Sequence, residues 1–223
     1  MEQHNTEHPR LELSSQLVTI MTTEHYNLRM ALSMNTTEIS GRSSLFVGAV
    51  SSALIALAFV GQVSHLGTAF FVFGLVVLAA LVVMGLITFE RVLESSYTQF
   101  MYARGITRIR HLYLEYAPQM QPYFILSAHD DVEGTLTDMG VMHSSGWQGF
   151  FSLAGMVAVI TSVLAGSLVG LLLAAFGLPL AVTVSAGVVA FLVSVGLHQL
   201  YQWRNWLRLG RDLSARFPGK AGQ

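Results

Sequence analysis

Two long stretches without a charged side chain constrain this chain more than any other feature. No Asp, Glu, Lys or Arg occurs between Ser43 and Phe89, and none between Met139 and Trp203. An apolar helix of about 20 residues crosses a bilayer. Each stretch therefore has room for two crossings with a tight turn between them. Four runs fit: Ser44 to Val63, Gly67 to Phe89, Phe150 to Leu173, and Pro179 to Leu200. The turns fall at 62–68, which contains Gly67, and at Gly177-Leu178-Pro179, where glycine and proline end helices for backbone reasons. Only 11% of the residues are charged, against roughly 25% in soluble proteins. Buried helices of a large soluble protein are usually shorter and carry polar faces, so the sequence reads as a polytopic membrane protein.

Basic residues resist translocation and collect in short cytoplasmic segments. Residues 1–42 hold Arg10, Arg29 and Arg42. The middle segment holds Arg91, Arg104, Arg108 and Arg110, and the tail holds Arg204, Arg208, Arg211, Arg216 and Lys220. These are all twelve, and the short turns hold none. The expected layout follows. Residues 1–42 form a cytoplasmic arm and 43–89 a first transmembrane hairpin. Residues 90–149 form a central cytoplasmic helical segment, 150–200 a second hairpin, and 201–223 a basic amphipathic cytoplasmic tail. Both termini lie inside, and Trp147, Trp203 and Trp206 sit at the inner interface, where amphipathic rings prefer to be. The amino-terminal residues lack the basic start and continuous apolar region of a removable signal. The chain has no cysteine, which removes disulfides and thiolate metal sites.

Local signals refine this layout. Thr22-Thr23-Glu24 offers a helix start, and Asn35 followed by Glu38 has the spacing of a capping box. The arm then reads as one broken helix or two short ones. Beyond Phe89 the second span continues through the stripes Leu93, Tyr97, Phe100, Arg104 and Ile109, Leu112, Tyr113, Tyr116, with Gly105 a candidate kink and Pro118 the end. In the tail, Trp206 and Leu207 can face lipid. Trp203 lies at the interface, and Arg204, Arg208 and Arg211 meet the headgroups of anionic lipids. Membrane topology accounts for these cations, so no nucleic acid is expected.

Inside the membrane, Ala154, Ala158, Ser162, Gly166 and Gly170 recur every four residues. Small residues on one face let a second backbone approach closely, which marks a helix-packing seam within the chain or between subunits of a homo-oligomer. Ser44, Gly48, Ser52 and Ala56 repeat the pattern in the first span. No span carries a charge in its interior, which argues against an ion-coupled pump. The His129-Asp130-Asp131 turn is the one cluster resembling a metal or catalytic site. Adjacent residues rarely all face one ion, and Asp131 can instead cap a helix over 132–139. No phosphate loop, nucleophile elbow or His-Glu-x-x-His occurs. The expectation is a non-enzyme with no cofactor.

Three stretches carry a resemblance: Thr23-Glu24-His25 with Leu28, the run Ala103 to Pro118 (ARGITRIRHLYLEYAP), and His129-Asp130-Asp131. Together they resemble an uncharacterised family of bacterial four-span membrane proteins, over about Thr22 to Trp147. The string Arg108-x-Arg110-x-x-Tyr113-Leu114-Glu115-x-Ala117-Pro118 is its most specific part. The resemblance implies a bacterial cytoplasmic membrane and transfers no functional residue. The expected fold is all-α, with four transmembrane helices in two hairpins plus cytoplasmic helices. The expected function is an oligomeric scaffold or signalling component acting on a cytoplasmic protein partner. A small oligomeric channel or uncoupled transporter is the alternative, and a membrane enzyme built on the acidic turn is a third reading.

Overall fold

The computed structural model describes residues 14–141, 148–212 and 214–219. The elements are α1 (Ser15–Val63), α2 (Thr68–Tyr116), a 3-10 helix (Pro118–Tyr123), α3 (Val132–Asp138), α4 (Gln148–Phe151), α5 (Leu153–Ala175) and α6 (Leu180–Asp212). No strand occurs among the described residues. Helices α1, α2, α5 and α6 are each long and apolar enough to cross a membrane, and the protein is multi-pass and all-helical.

No proline interrupts the chain between Pro9 and Pro118, so nothing in the sequence breaks α1 or α2 from within. At 1.5 Å per residue, each helix of 49 residues is about 74 Å long, more than twice the hydrocarbon thickness of about 30 Å. Ser14 starts α1 by accepting the Leu17 N–H at 3.2 Å. Between α1 and α2 the backbone turns through His65 (φ 49°) and Leu66 (φ 56°), and Leu66 N–H closes the helix end on the Gly61 carbonyl at 3.0 Å. Gly177, with φ 76°, ends α5 by giving the left-handed conformation that a Cβ disfavours. Pro118 stops α2, and the Ala117 N–H makes a last bond to the Tyr113 carbonyl.

One expectation for the long helices changes. The break at Asn35 is absent. Asn35 is not a cap but reaches sideways, and its Nδ2 donates to the Ser95 carbonyl of α2 at 2.9 Å. A side chain used that way leaves the helical backbone bonds intact. Helix α2 also runs as one element through Gly105. Glycine fits there because a Cβ would stand 3.0 Å from Leu28 Cδ1, so Gly105 lets the Leu28 side chain of α1 approach.

The chain divides into two compact units. One comprises residues 34–99 and 141–214. Its apolar core joins Ile39, Phe46 and Val50 of α1, Leu78, Leu81, Phe89, Val92 and Leu93 of α2, and Ala154, Val157, Ala158 and Leu164 of α5. Of the four apolar helices α5 is the most buried within the chain and α6 the least. The other unit comprises residues 1–33, 100–140 and 215–223. Its interior is built around Ala103, Ile106, Thr107 and Ala128 together with charged groups.

Candidate functional site

In the second unit, α2 presents Arg104 and Arg108 one turn apart, and Arg110 half a turn further on. Their partners come from the segment leading into α3. Arg108 Nε lies 2.7 Å from Asp130 Oδ2, and Arg104 Nε lies 3.5 Å from the same oxygen. Arg104 also donates to the Asp130 carbonyl at 2.9 Å. Arg110 pairs with Asp138 at 2.9 Å, with both side chains buried, and donates to the Ser127 carbonyl. Buried charges need this degree of pairing, because desolvation of an unpartnered ion costs several kcal/mol.

Residues 215–219 complete the knot. Phe217 N–H donates to Asp130 Oδ1 at 2.7 Å, Arg216 N–H to Oδ2 at 3.1 Å, and Asp130 N–H returns a bond to the Phe217 carbonyl at 3.2 Å. Gly219 N–H donates to Asp131 Oδ2 at 2.7 Å. Asp131 Oδ1 meanwhile caps α3 by accepting from Gly134 N–H at 2.7 Å. The Phe217 ring stacks on His111, with centroids 4.1 Å apart. Burial pushes the Asp130 carboxyl up, but the Phe217 N–H, the Arg108 guanidinium and the Arg216 N–H outweigh it and hold the pKa down at about 2. Asp130 is thus an ionised, buried hub joining three chain segments. Both its carboxylate oxygens are engaged, as are both of Asp131. Among the described residues no three His, Cys, Asp or Glu side chains converge as metal ligands. A cavity of about 370 Å³ lies beside the knot, lined in part by His111, Glu115, Phe124 and His129. Met120 (43% exposed), Tyr123 (76%) and Ile125 (94%) are exposed in the segment after α2, alternating with exposed Gln119 and Gln121.

The seam residues lie on the inner side of α5. Ala154 and Ala158 belong to the apolar core. Ser162 is buried and its hydroxyl meets that of Ser194 on α6 at 2.9 Å. A Cβ on Gly166 would stand 2.6 Å from the Gly187 carbonyl oxygen, and one on Gly170 3.4 Å from that of Thr183. Backbone contact with α6 therefore requires glycine at 166. The stripe on α1 differs, since Ser44, Gly48 and Ser52 are exposed and a Cβ on Gly48 would meet nothing within 4 Å.

The tail residues separate. Trp203 is exposed, whereas Trp206 packs edge-on to Tyr97, with centroids 5.4 Å apart. Arg204 and Arg208 are exposed. Arg211 lies on α6, but its side chain, like Trp147, Arg10 and Lys220, falls outside the described residues. Further along α6, His198 Nδ1 donates to the Ser194 carbonyl at 2.8 Å and its ring meets Phe89 edge-on. Sequence reasoning counted Arg104, Arg108 and Arg110 for topology and missed their partners. The available signal was three arginines on a helix followed by an acidic turn. Phe217 and His198 gave no such signal. No protein-family model matches the chain, and neither does a curated protein or a solved structure.

Proposed function

We propose that this is a non-enzymatic membrane protein that acts as an oligomeric scaffold or signalling component through its cytoplasmic face. The reading places four spans in two hairpins in a bacterial cytoplasmic membrane, with both termini inside and the basic tail against anionic lipids. It keeps the resemblance to the four-span bacterial family. The observation that carries it is the exposure of three large side chains, Met120, Tyr123 and Ile125, in the same unit as the buried ion pairs. Exposed apolar side chains mark a partner surface where they act as one patch, which the crosslinking experiment below tests. The exposed Ser44, Gly48 and Ser52 face supports self-association, since small residues let membrane helices approach closely.

A photo-crosslinking residue at position 125, used in intact cells, tests the partner surface. The expected product is a defined adduct with a cytoplasmic protein or a second copy, lost when Tyr123 and Met120 are replaced by serine. No adduct, together with ion flux through the reconstituted protein, would replace the scaffold with a channel. The channel reading draws on buried Ser43, Thr161 and His198, each with a polar atom lacking a partner among the described residues.

A further inference from the structure

Helices α2 and α6 enclose an open groove of about 710 Å³. Two contacts hold the helices in register beside it. The Phe89 and His198 rings meet edge-on at 4.7 Å, and the Tyr201 hydroxyl donates to Glu90 Oε1 at 2.9 Å. Along both helices the lining changes in the same direction. Leu86 on α2 and Val193 and Leu197 on α6 come first, then Glu90 on α2 and Tyr201 and Arg204 on α6. The apolar residues are 48%, 55% and 61% exposed, so the groove opens outward. Its polar end holds one carboxylate and one guanidinium, and among the described residues neither forms an ion pair.

We propose that this groove binds one zwitterionic phospholipid with a primary-amine headgroup. An acyl chain lies along Leu86, Val193 and Leu197, the phosphate meets Arg204, and the ammonium meets Glu90. Charge complementarity selects this occupant. The planar guanidinium suits a phosphate. An anionic headgroup without an amine would leave Glu90 unpaired and repelled. Tyr201 occupies Oε1 of Glu90, and the remaining lone pairs accept from N–H donors, which a trimethylammonium group lacks. A helix of a second copy is the competing occupant, and the subunit number of the Leu197→Trp variant below separates it from a lipid.

The test uses the full-length protein purified in detergent and native mass spectrometry with phosphatidylethanolamine, phosphatidylcholine and phosphatidylglycerol of identical acyl chains. Phosphatidylethanolamine should bind about tenfold more tightly than phosphatidylcholine, the size of one charge-assisted hydrogen bond. Glu90→Gln should erase that difference and move the preference to phosphatidylglycerol, because Arg204 is then unopposed. Arg204→Gln should weaken all three. Leu197→Trp should fill the groove and lower lipid occupancy without changing subunit number. Both charged variants alter accessible groups, and an unchanged helical circular dichroism spectrum confirms their fold. Equal binding of the two zwitterionic lipids, phosphatidylglycerol binding that is tightest in the wild type and lost on filling the groove with Leu197→Trp, or a lipid order unmoved by Glu90→Gln would overturn the assignment. So would a changed subunit number with unchanged lipid binding in Leu197→Trp.

Discussion

Arg108 on α2 and Asp130 in the turn before α3 meet at 2.7 Å, and the same carboxylate accepts the backbone N–H groups of Arg216 and Phe217. One buried anion therefore fixes segments that are far apart in the chain. Arg104, itself buried, depends on it as well.

Asp130→Asn should loosen this unit. The amide keeps one acceptor oxygen but removes the negative charge that faces Arg104 and Arg108. Breaking a buried pair by removing one partner costs about 3 kcal/mol or more. Thermal unfolding should shift downward, and limited proteolysis should cut near Phe217 sooner than in the wild type. An unchanged midpoint and cleavage pattern would show that the knot contributes little.

Acid should act through the same residue. With its folded pKa held at about 2, below the ordinary 3.8, Asp130 contributes its full stabilisation above pH 4. That contribution disappears as pH falls from about 4 through about 2. The shift corresponds to about 2 kcal/mol. A series of thermal midpoints between pH 6 and pH 2 should fall more steeply for the wild type than for Asp130→Asn. Parallel curves would assign the acid sensitivity to other groups.

The two small-residue faces should respond differently. Gly166→Leu drives a side chain into the Gly187 backbone, and overpacking of this kind costs about 1–3 kcal/mol, so the fold itself should suffer. Gly48→Leu meets open space within the chain and should leave the midpoint nearly unchanged while weakening self-association. Leu168→Ile serves as the control on α5. Size-exclusion chromatography with light scattering, read beside thermal unfolding, distinguishes the effects. If Gly48→Leu leaves subunit number intact, the α1 face is not the oligomer contact.

The proposed topology rests on the twelve basic residues. A reporter fused after Gln223 should report the cytoplasm, and one inserted beside His65 the opposite side. A carboxyl-terminal reporter facing outward would remove the proposed orientation.

Four apolar helices, the turns between the paired ones and the all-helical class were legible in the sequence. Hydropathy and helix-breaking residues act locally, and a charge-free run of fixed length has few ways to satisfy its backbone in lipid. The Asp131 cap was legible for the same reason, since donor and acceptor lie three residues apart. The continuity of α1 through Asn35 was not, because the partner that draws its side chain away is Ser95, remote in sequence. The inward face of α5 was visible as a period of four, yet only the packed structure decided that Gly166 meets Gly187 and that Gly48 meets nothing. The Asp130 hub and the α2–α6 groove were likewise decided by tertiary structure. Each depends on the angular position of side chains on helices far apart in the chain, and pairing between charges at that separation leaves no periodic trace in a single sequence.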